Sequence, residues 1–506
     1  AFVVNQDYAL RAWVSNPYGG VDAVPDNDTT LVENLYVALG GNYTLGGLSP
    51  DFNTFGEAVT NLTLGGVVDS VIFDVRDGTY NEQLVFTPIL GAGADKSGRF
   101  QSELGDSTAV TLTFDSPSSA NYTIYLNGVD HLSFARMTLA ATDANYGRII
   151  HLDGASNRIR LENNRLLGVP ATSTSTNRAL IYSTSGFVND SLQLYHNYLQ
   201  NGSYGLYFRA STSHVSGTEV VGNTFENQYY RAMDMDEHNR PVINDNLIQT
   251  NSASTDYTGI YSNDSNLGAE VRRNRVLANA YGAGMLFFDM TVTIANQAWI
   301  ANNYVEIGAN QGNTVYGIFF SSGSYHQLHY NSVRVTSTGL NASALYFSGG
   351  SNKRLSNNIW SNYGGGLAFF TSSTGNVLSS DFNNFFTPGP NFLSWGGTLW
   401  PTLSDWQNAG NLTEVNSISV PPFFRAPNDY RTAQSALNGA ANPLPEVLID
   451  LEGEVRDSLQ PDIGADEFDL PATDAGVSAV LIPDIPFPIG NQLIQAILRN
   501  HGSDTL

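Results

Sequence analysis

Residues 231–240 read RAMDMDEHNR: two aspartates, a glutamate and a histidine between two arginines, in a chain only 14% charged. Asp234 and Asp236 stand two residues apart. On an extended strand that puts both carboxylates on one face, roughly 7 Å from each other. The separation falls in the range of about 6.5–9.5 Å at which one carboxyl protonates a leaving group and the other activates water on a sugar. The same pair also suits a binding face, with the carboxylates accepting from hydroxyls. It suits equally a solvated surface whose charges pair with Arg209, Arg231 or Arg240. The choice depends on the elements that carry the segment.

Those elements repeat. From residue 159 a short phrase keeps returning: IRLENNRLL, LQLYHNYL, EVVGNTF, PVINDNLI, AEVRRNRV, AWIANNYV, HQLHYNSV, KRLSNNIW. Its asparagines fall at Asn164, Asn197, Asn223, Asn246, Asn274, Asn303, Asn331 and Asn358. Three residues before each stands an aliphatic, from Leu161 to Leu355, and two after stands another apolar residue, from Leu166 to Trp360. Apolar runs this short, alternating with period 2 and broken by a corner residue, are strands rather than helices. Asn tolerates the left-handed backbone of a sharp corner, and its amide can bond to a counterpart about 4.8 Å away in the next coil. A coil whose apolar face only its neighbours can cover is a solenoid unit. The pattern predicts a right-handed parallel β-helix with an asparagine ladder, starting more weakly upstream, where Met137 occupies the asparagine position, and ending near Asn384.

In that frame the acidic cluster lies on the strand after a corner, as do YGLYFRA and YTGIYSN. Aligning Gly205, Ala232 and Gly259 turns Leu206, Met233 and Ile260 inward. Asp234 and Asp236 then point out, between Tyr207 and Arg209 on one side and Tyr261 and Asn263 on the other. Tyr207, Arg209, Asp234, Asp236, Tyr261 and Asn263 form a candidate ligand face, with rings to stack on pyranose C–H surfaces and polar groups for hydroxyls. Phe319 and Tyr346 extend the aromatic column.

Both ends of a β-helix need covering, because open strand edges aggregate. TFGEAVTNL carries a capping box, Thr54 with Glu57, and apolar Phe55, Ala58, Val59 and Leu62 at helical spacing, predicting a short helix over the first coil. The stretch 388–470, with Trp395, Trp400 and Trp406, is expected to close the other end. Arg456 is expected to lock this cap by pairing with Asp450 or Asp466. His196, His326 and His329 read as hydrogen-bonded surface residues near corners rather than metal ligands.

The bulk numbers narrow the partners. With 23 basic and 47 acidic residues the net charge is −24. Such a chain repels phosphate backbones and anionic lipid, so nucleic acid is excluded as a partner. No apolar run approaches the roughly 18 residues of a membrane span, and no leader-like segment opens the sequence, so membrane insertion is not expected. The absence of cysteine excludes thiolate metal sites, disulfides and cysteine nucleophiles. No cofactor is implied. Oxygen-rich DNDTT (26–30) and DLEGEVRD (450–457) could hold Ca²⁺, but neither has the spacing of a calcium hand.

Three phrases carry a resemblance: YTLGGLSPDFNTFGEAV, VRDGTYNEQL and DLEGEVRDSLQPDIGADEF. With them the chain resembles the β-helix repeats of giant surface proteins exported by the type IX secretion route of gliding bacteria. Residues 1–41 look like the last strands of a CARDB-type immunoglobulin-like sandwich, and residues 471–506 like the first strands of the next, with the β-helix over 42–470. The resemblance implies an extracellular, non-catalytic stalk, fibre or adhesin on a bacterial cell surface, whose partners are other repeats of the same chain and glycans or cell surfaces. It also implies O-glycosylation at Asp-Ser/Thr triplets, on Thr29, Ser70, Ser107, Ser191 and Ser458. Polysaccharide lyases of the β-helix fold resemble one another in a Lys or Arg base beside calcium-binding carboxylates. Here lysine is confined to Lys96 and Lys353.

Overall fold

Strands this short cannot bury their apolar side chains alone, and stacking is what makes them persist. The computed structural model describes residues 2–15, 19–21, 24, 26, 28–184, 186–210, 213–290, 292–308, 312–410, 413–426, 428–470, 473, 475–482, 490, 493–500 and 502. It divides into two units, Ala1–Ser254 with Ile260–Asn266 and Thr255–Gly259 with Leu267–Leu506. Each contains a parallel β-solenoid of three sheets.

In the first unit, one sheet runs from Leu39–Leu45 and Val67–Val75 through successive coils to Val242–Asn244. Its inward register is Phe73, Phe100, Phe134, Leu161, Leu194, Val220 and Ile243, every one fully buried. A second sheet brings Leu112, Leu139, Leu166, Leu199, Phe225 and Ile248 into line. The third contributes Ile124, Ile150, Ile181, Leu206 and Met233. The small residue expected before Leu206 has a steric reason: a Cβ at Gly205 would lie 2.5 Å from the Phe225 ring and 2.7 Å from the Ala232 carbonyl. The second unit repeats the plan with Val271–Ile300–Leu328–Leu355, Val276–Val305–Val333–Trp360–Phe385 and Met285–Ile318–Leu345–Phe369–Leu393.

The ladder bonds twice per rung. In the first unit the Asn197 Oδ1 accepts from the Asn164 backbone N–H at 2.9 Å and from its Nδ2 at 3.2 Å. Asn223 does the same for Asn197, and Asn246 for Asn223. In the second unit the chain of rungs is Asn274, Asn303, Asn331 and Asn358. It ends on Asn383, not on the expected Asn384, whose amide instead bonds Val420. The left-handed corner is also displaced by one residue. Positive φ falls on the residue before each ladder position (Asn163, His196, Asp245, Arg273, Asn302, Tyr330, Asn357, Phe382) and not on the ladder asparagine itself. The recurrence of Asn at coil spacing therefore reflects its amide, not its backbone freedom.

Helix α1 (Phe55–Gly65) covers the first coil as predicted, burying Phe55, Ala58, Val59 and Leu62. Thr54 accepts from the Glu57 backbone N–H, and Glu57 accepts from the backbone N–H of Asn53. Glu82 takes the N–H groups of Phe55 and Gly56, where the helix dipole favours an anion. Ahead of it, Tyr8–Trp13 and Thr29–Leu35 form an antiparallel pair, and Ala475–Ile482 with Gln495–Asn500 form another in the second unit.

The stretch 388–470 divides its work. Its first part closes the last coil, with helix α2 (Leu403–Asn408) setting Trp406 against Trp395 and Trp400 at ring distances of 5.0 and 5.1 Å. Its second part, against expectation, straps the flank of the solenoid. Leu437, Val447, Ile463 and Phe468 pack on Ala301, Tyr330 and Ile359. Corner amides two coils apart fasten the strap: Asn302 donates to the Ile449 carbonyl at 2.7 Å and Asn357 to the Asn442 carbonyl at 2.7 Å. Arg456 pairs with Glu467 at 3.0 Å, not with Asp450 or Asp466, and bonds Asn302 and the Gly464 carbonyl with its guanidinium 3.9 Å over the Tyr330 ring.

Candidate functional site

Strand Arg231–Asp236 lies beside Tyr204–Arg209 in the third sheet, with Tyr207 opposite Asp234 and Arg209 opposite Asp236. Met233 and Met235 fill the interior, so both aspartates leave the outer side of the sheet, as the alternation requires. Asp234 nevertheless does not meet solvent: its side chain is 0% exposed. Arg209 reaches across from the neighbouring strand and bonds it through Nε and Nη2 at 2.8 and 2.9 Å. Arg231, three residues earlier on the same strand, donates to the second oxygen at 2.6 Å. Rings roof the cations: Tyr207 lies 4.8 Å from the Arg209 guanidinium and Tyr261 lies 3.7 Å from that of Arg231. The carboxylate is thus a structural anion under two arginines, and the expectation of a solvent-facing Asp234 is corrected. Of the three arginines that the sequence offered as partners for these charges, Arg209 and Arg231 bond Asp234, one from the neighbouring strand and one from its own.

Electrostatics agree with that geometry. Burial alone would lower the Arg209 and Arg231 pKa values, but hydrogen bonds and charge from Asp234 outweigh it and hold both above the ordinary arginine value. Asp236 is the more open of the pair and faces Asn263, whose Nδ2 donates to it at 2.6 Å. Desolvation raises its pKa, opposed in part by that bond and by Arg209. The six expected face residues do come together, but only Tyr207, Arg209, Asp236, Tyr261 and Asn263 reach the surface, each half-buried.

The outer face extends further than the sequence reading found. Tyr125, His151, Tyr182 and Tyr207 occupy one register column. Tyr182 and Tyr207 stack at 5.3 Å with 6° between ring planes, and Arg148 caps Tyr182 at 3.5 Å. Burial, with Arg148 nearby, pushes His151 down to about 4, so the imidazole is neutral and acts as another rung. The signal was present: these residues recur at coil spacing, but tyrosine and histidine do not form the uniform phrase that the asparagines do. In the second unit the corresponding column is Phe319, Tyr346 and Phe370.

The remaining candidates fall elsewhere. His326 and His329 are buried, not superficial, and burial lowers the pKa of both; His196 is exposed. In DLEGEVRD the Asp450 Oδ1 accepts from the backbone N–H groups of Glu452 and Glu454 at 2.9 and 2.8 Å, which makes it a turn anchor. DNDTT includes Asn27, which lies outside the described residues, as does most of 483–492. Among the triplet hydroxyls, Thr29 and Ser458 are exposed, Ser107 and Ser191 are half-buried, and Ser70 is half-buried and donates to the Asp95 carbonyl. Among the described residues no group of His, Asp and Glu is arranged to hold a metal ion, and no helix is long and apolar enough to cross a membrane.

No protein-family model matches this chain, and no curated protein matches it. Among solved structures it is similar to the crystal structure of the Dettilon tailspike protein, at 13% identity and a TM-score of 0.44. The match covers 70% of this chain and 62% of that one, so the chain spans less than two thirds of the tailspike's length.

Proposed function

We propose that this chain is a non-catalytic structural and adhesive segment of an extracellular surface protein. One observation carries the reading. Acid/base work on a sugar needs two accessible carboxyls, and Asp234 has both oxygens bound to guanidinium groups and no exposed surface, which leaves Asp236 without a partner carboxyl that a substrate could reach. The face around it offers rings and amides, which suit contact rather than turnover. Net charge of −24 supports neutral surfaces over polyanions as partners.

The test is incubation with alginate, pectin and chondroitin sulfate panels, following new reducing ends and unsaturated products by absorbance and mass spectrometry. No product above a buffer control is expected. Turnover by the natural chain that disappears in a folded Asp234→Asn variant would overturn the reading in favour of a polysaccharide-active enzyme.

A further inference from the structure

The aromatic column of the second unit stops one rung early. Strand Leu367–Thr371 pairs with Leu393–Trp395, which pairs in turn with the antiparallel strand Thr398–Trp400. In register, Phe370 is followed by Ser394 and then Leu399. Phe370 stacks on Tyr346 with centroids 4.3 Å apart and 7° between planes. On its other side a hydroxymethyl group stands where a ring would continue the stack. Neighbouring strands lie about 4.8 Å apart, so Phe370 and Leu399 rise from backbones roughly 9.6 Å apart with only Ser394 between them. That gap admits one flat ring at van der Waals distance from both walls.

The slot lies in a cavity of about 550 Å³. Tyr316, tilted onto Tyr346 at 4.6 Å, extends the apolar wall, and Asn341 and Asn391 bring amides to the lining. None of the lining residues carries a charge, in a protein whose net charge is −24. A ligand matched to these surfaces is uncharged and ring-shaped, with an apolar face for Phe370 and hydrogen-bonding groups around its edge for the amides. A neutral pyranose has that distribution. A uronate or a nucleotide adds an anion that nothing in the lining compensates and that the field of the chain repels.

We propose that the slot between Phe370 and Leu399 binds one sugar ring of a neutral glycan, the ring occupying the missing rung of the aromatic column. This rests on the adhesive reading and names its site and ligand class. Binding is to be measured on the whole chain with arrays of neutral hexose and N-acetylhexosamine oligosaccharides beside their uronate counterparts, followed by calorimetry on the strongest neutral probe. Phe370→Ala and Ser394→Tyr, the latter filling the rung with the protein's own ring, should each weaken binding at least tenfold. Phe370→Trp, which keeps a stacking face, should retain it, and Tyr207→Ala should leave it within twofold. Leu399→Ala alters an exposed wall residue and gives a further variant that does not threaten folding; a loss of threefold or more is expected. The proposal is overturned by no neutral glycan binding to the natural chain, by uronates binding as well as neutral probes, or by full binding in Leu399→Ala together with folded Ser394→Tyr. Binding lost in Tyr207→Ala instead would leave the adhesive reading standing and move its site to the first unit.

Discussion

A carboxylate removed from water is stabilised only while its partners stay in place. Asp234 meets this condition with three charge-assisted bonds, and the two arginines avoid repelling each other because the anion sits between them. Removing Asp234 alone leaves Arg231 without its anion beneath a tyrosine roof and Arg209 with only the longer contact to Asp236 at 3.9 Å. Asp234→Leu should therefore cost about 3 kcal/mol, read from the midpoint of urea unfolding followed by circular dichroism. The companion variant Arg209→Met/Arg231→Met/Asp234→Leu removes the whole cluster while keeping its volume, and should recover most of the loss. A triple variant as unstable as the single would mean that the cluster's net electrostatics, and not the orphaned charges, hold this part of the sheet.

At the level of the element, the strand–corner–strand unit is set by two different demands on adjacent residues. The ladder asparagine must supply an amide; the residue before it must take a left-handed backbone. Asn223 shows the first: it accepts from the Asn197 backbone and amide, and donates to Asn246 and to the Leu194 carbonyl, all buried. Asn223→Ala strands several of these groups, and a loss of at least about 3 kcal/mol is expected in urea unfolding, against well under 1 kcal/mol for alanine at the exposed corner residue His196. Equal losses would show that the ladder contributes no more than the turn. This division also explains what could be read beforehand. The coil repeat, its inward apolar positions and helix α1 were legible because burial and capping restrict residue type at fixed offsets. The corner was not, since Arg273, Tyr330 and Phe382 all occupy left-handed backbone that the stack imposes on them. The doublet Asn383–Asn384 left the last rung ambiguous by one residue. The flank strap was invisible because its side of these bonds, the Ile449 and Asn442 carbonyls, belongs to an irregular segment with no period of its own. The face residues were found, but the burial of Asp234 depends on how far two arginine side chains reach, which sequence spacing does not encode.

Across the whole molecule, buried titratable groups give different segments opposite responses to pH. In the first unit, burial pushes His151 and His238 down to about 4. The folded chain keeps these imidazoles neutral where the unfolded chain takes up protons, so their stability is complete above about pH 6.5 and is lost as the pH falls through 4. In the second unit burial shifts His326, His329 and Lys353 down in the same sense. Around its last coil and in the strap, however, burial pushes Glu414 up to about 7, against opposing hydrogen bonds from serine and asparagine side chains, and Asp462 and Asp466 rise to about 7 as well. There the folded chain holds protons that the unfolded chain releases above roughly pH 4.5, so stability is complete at low pH and is lost as the pH rises through 7. Glu414 terminates the ladder, accepting from the Asn383 amide at 3.2 Å and the Ser417 hydroxyl at 2.5 Å, so its titration acts directly on the last coil. Hydrogen exchange by mass spectrometry, corrected for intrinsic rates, should show protection over 377–417 falling between pH 5 and 8, by an amount on the order of 3 kcal/mol at most. Over the same range protection in 204–238 should rise or hold steady. Glu414→Gln keeps the shape and removes the proton equilibrium, and it should flatten the slope over 377–417 while leaving 204–238 unchanged. An unaltered slope in that variant would remove Glu414 as the cause and place the response in the neighbouring strap.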